Sequence, residues 1–235
     1  TSQVPFATPS GAGAGAGAGA VGLIKTFVVN MARHGERWLR TRSLLMQLGF
    51  QDFQRWDAFD ALKADAHEEM QLSLGEFMTG TGSGWSREAV GCAESHFRLF
   101  QHIVTGETPW TIILEDDIVL NPNFEISALP EVLTTLPADA HIAYLGFCFP
   151  RKMQHSSGWW TLAGACCTHA YMLSQQGAAL LLQVVQPLSA PIDEMMRDAC
   201  NSGMLRCYIV ELGPSSSYQD FLHEGIFLQT ITKGV

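Results

Sequence analysis

The chain has 235 residues, with 23 acidic against 14 basic side chains for a formal charge of −9, and it is 47% hydrophobic but only 16% charged. A chain of this length can bury a sizeable core without help from metals or disulfides, and its composition excludes disorder over most of its length. The negative charge and the lack of any lysine–arginine run argue against nucleic acid as a partner, and no apolar stretch approaches the ~20 residues of a membrane span.

Residues 1–20 hold Pro5, Pro9 and five Gly-Ala repeats, a low-complexity linker with nothing to pack. The chain begins at Thr1 rather than Met, which predicts that the natural N-terminus lies upstream; the compartment stays open. A single domain is expected over 21–235. Leu23–Asn30 is short and β-branched and reads as a buried strand. Arg37–Leu48 carries Trp38, Leu39, Leu44, Leu45 and Leu48 at helical spacing and is closed by Gly49. Phe50–Phe59 reads as a second strand. Glu88–Val104 reads as a helix with Val90, Ala93, Phe97, Phe100 and Val104 inward. Trp110–Leu114 is a further buried strand and runs straight into Glu115-Asp116-Asp117. His141–Phe147 and Ala170–Leu173 are extended, Ser174–Val185 is helical, and Leu205–Leu212 is a late strand. Strands alternating with helices predict an α/β domain with a mostly parallel central sheet flanked by helices. Ligands of such sheets bind at the carboxyl ends of the strands, which here means residues 30–37 and 115–117.

Six cysteines stand at 92, 148, 166, 167, 200 and 207. The adjacent pair 166–167 and the absence of C-x-x-C spacing argue against a zinc site. The even count permits disulfides, which a chain this long does not require.

Three acids directly after a buried strand need a physical reason. Two carboxylates ~4 Å apart repel by about 4 kcal/mol at an effective dielectric near 20, and a hard divalent cation removes that repulsion. Glu115 and Asp117 leave an extended backbone on the same side, so they can hold one Mn²⁺ or Mg²⁺ together with diphosphate oxygens. The alternative is a solvated turn leading into Asn121-Pro122-Asn123.

The triplet is one of five blocks. Phe27-Val28-Val29-Asn30 is followed by Arg33 and Arg37. Gly91-Cys92-Ala93-Glu94-Ser95-His96, the Leu114-Glu115-Asp116-Asp117 segment, Ala170-Tyr171-Met172-Leu173-Ser174 with Gly177-Ala178, and Pro191-Ile192-Asp193-Glu194 come after it. In this order, across residues 27–194, the blocks resemble glycosyltransferase family 25, which includes lipooligosaccharide and collagen hydroxylysine galactosyltransferases. The resemblance implies a GT-A-like fold, a UDP-sugar donor, a glycan or protein acceptor and a divalent cation. Two departures stand out. Glu88 lies one position before the place where the family has Glu, now Ala89, and Leu222-His223-Glu224 replaces a late Ser-Asp.

On this resemblance Arg33 and Arg37 contact the donor diphosphate, for which a guanidinium fork is suited; otherwise they form a solvated helical face. Asn30 either contacts the nucleotide or caps the turn. Asp60 stands where the family has Ala-x-Asp-Gly, with Ala61 for Gly, and is a ribose or base contact or a turn aspartate. Ser95 and His96 belong beside the donor pocket, His96 being alternatively a satisfied core histidine. Asp116 joins the donor set, and His223 is a late metal ligand beside Glu115 and Asp117. An inverting transfer needs a carboxylate to take the acceptor proton, a role given to Asp193 or Glu194. Following Pro191, both are otherwise N-terminal helix acids that favour the helix dipole. Trp159-Trp160 is either a sugar-stacking pair or a packed hairpin element. A non-catalytic glycan- or protein-binding relative is the main alternative. A metal-dependent phosphohydrolase would need further His/Asp pairs that the sequence lacks.

Overall fold

Six residues, Lys25–Asn30, form the first strand (β1), and all but the first are buried. The computed structural model describes residues 24–63, 65–73, 86–148, 152–156, 158–162, 166–210 and 224–230; the low-complexity segment 1–20 and His223 lie outside them. After β1 come the helix α1 (Gly35–Gln47), the strand β2 (Phe53–Asp57), the short helix α2 (Ala66–Glu69) and the long helix α3 (Arg87–Thr105). The strands β3 (Trp110–Glu115) and β4 (Ile118–Leu120) follow, then the short helix α4 (Leu129–Thr134). Next are β5 (Ile142–Cys148), β6 (Lys152–Ser156), β7 (Trp159–Leu162) and β8 (Cys166–Ser174). The helices α5 (Gln175–Val184) and α6 (Ile192–Asn201) precede β9 (Cys207–Val210), β10 (Glu224–Gly225) and β11 (Phe227–Gln229).

The main sheet runs in the order β2-β1-β3-β8-β5-β9-β7-β6, with β10 on β5. The strands β2, β1, β3, β5, β9 and β6 point one way; β8, β7 and β10 oppose them. The sheet is mostly parallel in direction, as alternating strands and helices require, with β8 inserted antiparallel between β3 and β5. The inserted strand matters for the site. Because β8 runs back against β3, with Leu114 opposite Ala170, the start of β8 sits at the end of β3. The parallel β1–β3 pair, with Val29 opposite Glu115, brings Asn30 to the same edge.

Local chemistry accounts for where these elements start and how they pack. Ser86 caps α3 by accepting from the Ala89 amide at 3.2 Å, and Ser174 caps α5 by accepting from Gly177 at 3.0 Å. Gly177 is needed because a Cβ there would come within 2.5 Å of the His141 carbonyl oxygen. On α3 the residues Ala93, Phe97, Phe100 and Ile103 are buried. Val104 is 37% exposed and Leu39 on α1 is 59% exposed, so these two, expected inward, lie at the edges of their apolar stripes. Trp159 is 1% exposed and its indole donates to the Thr135 hydroxyl, which makes it a packing element of the β6–β7 hairpin.

Two disulfides, Cys148–Cys167 and Cys200–Cys207, tie β5 to β8 and α6 to β9. The question the sequence left open is thus answered for four of the six cysteines, while Cys92 and Cys166 remain thiols. Gly146, on β5, lies under the last strand: an added Cβ would be driven into the His169 ring and the Phe227 carbonyl. Gly146→Ala is expected to cost about 3 kcal/mol, since backbone cannot give way as a side-chain tip can. In a domain of this size that is a fall of roughly 6–12 °C in Tm, readable by thermal denaturation; an unchanged Tm would mean that β11 is not held against β5.

Candidate active site

At the carboxyl ends of β1 and β3 lies a cleft of about 240 Å³ lined by Arg33, Arg37, Asp60, Ser95, His96, Glu115, Asp116 and Asp117, among others. Eight of the residues singled out from the sequence therefore meet in one place, although they come from four separate stretches of chain. Asn30 is not among the lining residues. It is buried beneath them and donates from Nδ2 to Asp116 at 2.6 Å and to the His34 carbonyl at 3.0 Å.

The sequence predicts an extended backbone through the acidic triplet, but β3 ends at Glu115, and Asp116 and Asp117 form the turn into β4. Asp116 turns toward Asn30 and Arg37, whose guanidinium donates to it at 3.2 Å. Glu115 and Asp117 share one partner: the Gln229 amide nitrogen lies 3.3 Å from a carboxylate oxygen of each, and Arg37 also forms an ion pair with Asp117 at 4.0 Å. The strand β11 brings it there by pairing Gln229 with Ile118 on β4, and Thr230 fixes the loop by donating twice to the Asp117 carbonyl at 2.8 Å.

The two carboxylates differ electrostatically. Burial pushes the Asp117 carboxyl up to about 6, and the charge of Glu115 adds to the shift. Burial also acts upward on Glu115, but the His96 ring beside it and the Thr168 hydroxyl, which donates at 2.6 Å, outweigh it and hold this carboxyl below its usual range. Arg33 forms an ion pair with Asp60, whose other oxygen accepts from the Leu62 amide at 3.1 Å. Ser95 spends its hydroxyl on the Phe59 amide and the Gly91 carbonyl, at 2.8 and 2.6 Å, and so fixes the cleft wall that carries Asp60. His96 is fully buried, with Nδ1 at 2.7 Å from the Tyr171 hydroxyl.

A second cleft of about 260 Å³ opens on the other side of Glu115 and Cys92, and is lined also by Cys167, Thr168, Pro191, Asp193 and Gln229. Glu115 and Cys92 face both clefts. Pro191 precedes α6, and the next two acids part company. Asp193 turns into the second cleft and accepts from the Cys167 amide at 3.1 Å. Glu194 is 39% exposed and pairs with Arg197 at 3.6 Å. Cys167 holds a left-handed backbone, φ 80°, rare for a non-glycine residue, and is anchored there by its disulfide to Cys148.

Sequence reasoning missed Gln229 and Thr168. Neither belongs to a periodic pattern; both reach the acids through strand pairing between segments far apart in the chain. No helix among the described residues is long and apolar enough to cross a membrane.

Comparison with known proteins fits this geometry. The sequence model of glycosyltransferase family 25 (LPS biosynthesis protein) matches residues 23–196. The chain is 31% identical over 186 residues to a glycosyltransferase 25 family member of Drosophila pseudoobscura pseudoobscura, covering 72% of this chain and 29% of that protein. It is 26% identical over 196 residues to the probable inactive glycosyltransferase 25 family member 3 of Rattus norvegicus, covering 75% of this chain and 33% of that one. The chain thus spans about a third of the length of these relatives. Among solved structures, a glycosyltransferase involved in the glycosylation of the major capsid of PBCV-1 aligns over 80% of this chain and 81% of its own. Its identity of 10% and TM-score of 0.45 are too distant to carry over the role of any residue. The family match covers all five blocks, including Asp193 and Glu194, and the chain belongs to glycosyltransferase family 25.

Proposed function

We propose that this domain is a divalent-cation-dependent inverting transferase that moves a hexose, galactose or glucose, from a UDP-sugar to a hydroxyl of a glycan or protein acceptor. The observation that carries this reading is the pairing of Glu115 and Asp117 on one side of the β3 end, in a cleft that Arg33 and Arg37 also line. The donor set fits a hard cation: two carboxylates aimed at one point, with an amide N–H drawn in between them where positive charge is needed. When bound there, Mn²⁺ or Mg²⁺ supplies Lewis-acid stabilisation of the leaving diphosphate.

The chain's own residues do the rest. Arg33 and Arg37 grip the diphosphate oxygens by bidentate hydrogen bonds, Arg33 leaving Asp60 to do so or carrying Asp60 onto the ribose. Asn30 keeps Asp116 in place and Ser95 keeps Phe59 and Asp60 in place, so both act as positioning residues for the donor. Asp193, across Glu115 in the second cleft, takes the proton of the acceptor hydroxyl as that oxygen bonds to the anomeric carbon and the bond to UDP breaks, UDP leaving on the side of the first cleft. A donor screen of the purified domain with Mn²⁺, reading UDP release with and without acceptor, tests this. Acceptor-stimulated release supports the reading, and no release from any UDP-hexose would favour the second reading. That second reading is a non-catalytic binding protein, favoured by the relatives named as probable inactive and by Ala89 standing beside Glu88.

A pH prediction follows from Asp117. Its ordinary value is 3.8 and its folded, cation-free value is about 6, so between the two the native state holds a proton that the unfolded state has lost. Stability from this group is full below its ordinary value and is lost as pH rises through about 6. In chelator, Tm should therefore fall across that window, and Mn²⁺ should raise Tm more at pH 7.5 than at pH 5, because proton and cation compete. Equal Mn²⁺ stabilisation at both pH values would show that Asp117 is not the ligand.

A further inference from the structure

One cluster on the wall between the two clefts joins Glu115 to two side chains that the proposed cation site does not use. Cys92 and His96 are four residues apart on α3 and leave the same face of the helix. The end of β3 brings Glu115 against them, so that one ligand atom from each of the three lies within 4.8 Å of the others. His96 is fully buried, and its Nε2 has no hydrogen-bond partner among the described residues although it stands 3.6 Å from Glu115 Oε1. Its other nitrogen is fixed by the Tyr171 hydroxyl at 2.7 Å, the arrangement by which a second partner orients a metal-binding imidazole.

We propose that Cys92, His96 and Glu115 form a binding site for a borderline-soft transition metal of the zinc class. Sulfur, nitrogen and oxygen donors together suit Zn²⁺ and not Mg²⁺ or Ca²⁺. Zinc bond lengths of about 2.0–2.3 Å place tetrahedral ligands roughly 3.3–3.8 Å apart. His96 and Glu115 already stand at 3.6 Å, and the 4.8 Å bound on the set leaves the Cys92 sulfur only a side-chain adjustment to make. A thiolate and a carboxylate neutralise the dication, which matters in a site walled by a buried helix face. On binding, the Cys92 thiol gives its proton to solvent. Three protein ligands leave a fourth position open to the clefts. The spacing is not C-x-x-C, so the cysteine pattern of the sequence does not reveal it.

The two metal sites share one side chain by different oxygens. Glu115 Oε1 faces His96 and Thr168, while Oε2 faces Gln229. Zinc at the softer site therefore draws Glu115 away from Asp117, and zinc inhibits the Mn²⁺-dependent reaction; this arm alone rests on the proposed transfer activity.

The test uses the full chain stripped with chelator and titrated with Co²⁺. A thiolate-to-cobalt charge-transfer band in the near ultraviolet, lost in Cys92→Ser, is expected. In the unmutated protein, saturating Zn²⁺ should slow alkylation of Cys92 by at least about tenfold and leave Cys166, the other thiol, unaffected. The proposal is overturned if the unmutated protein gives no such band, if the band persists in Cys92→Ser, or if Zn²⁺ leaves Cys92 labelling unchanged. The labelling arm decides the matter even if the variant does not fold. Where transfer is measurable, the Zn²⁺ concentration for half-inhibition should rise at least tenfold in Cys92→Ser, relative to the variant's own uninhibited rate. Loss of transfer activity altogether would count against the proposed function and leave the spectral result standing.

Discussion

Asp117→Asn is expected to give a protein that is inactive in transfer and, in chelator at pH 7.5, more stable than the unmutated one. The two effects have one cause. Asp117 is buried beside Glu115, and burial together with that neighbouring charge makes its ionised form costly, as the upward shift to about 6 records. An amide of the same shape removes the like charge and still meets Gln229 and the Arg37 side. It is, however, a poor ligand for a hard dication. Losing a mere outer-shell partner of a metal ligand costs roughly 10–100-fold in metal affinity or activity, and losing the carboxylate itself should exceed that. Mn²⁺ titration followed by calorimetry, alongside thermal melts in chelator and a UDP-release assay, reads all three quantities. A variant that binds Mn²⁺ as before, or that melts lower than the unmutated protein in chelator, would remove Asp117 from the cation site.

The second large effect belongs to Asp193. Asp193→Asn should slow transfer by roughly 10²–10⁴-fold, the scale of a lost general base, while donor affinity stays the same. The fold should tolerate the change, because the amide oxygen of Asn can still accept from the Cys167 N–H that Asp193 now receives at 3.1 Å. Glu194→Gln is the matched control. It sits on the next residue of the same helix turn but pairs outward with Arg197, so its kcat should remain within a few-fold of the unmutated value. Steady-state kinetics with a fixed donor and varied acceptor separates the outcomes. Weakened donor binding in Asp193→Asn would move this residue to the donor site, and a dead Glu194→Gln with an active Asp193→Asn would exchange their roles.

The legible part of this protein was the part written in short-range patterns. The buried runs in β1 and β3, the apolar stripe of α3, and Pro191 before α6 are all local, and each element appeared within a few residues of its expected place. The capping Ser174 and the close-packed Gly177 show that some of the family's motif residues serve the backbone, not the ligand. Asn30 illustrates the harder case. Its position at the end of β1 was readable, yet whether it faces a ligand or a neighbour depends on Asp116, 86 residues away. Asp193 and Glu194 were equivalent in sequence, and only the antiparallel return of β8, which delivers the Cys167 amide, tells them apart. Gln229 and Thr168 were invisible for the same reason: their relation to Glu115 exists only through strand pairings.

The placement of β11 has a consequence for how the protein is made. Gln229 and Thr230 secure the acidic loop from 112 to 114 residues downstream, so a nascent chain that has emerged only as far as β9 carries both clefts' acids without their last support. Domains are synthesised from the N-terminus at about 5–20 residues per second, and pairings between distant segments form late. Until β11 pairs with β4 the acid pair lacks that restraint, and the pairing of this short strand fixes the loop in its folded shape.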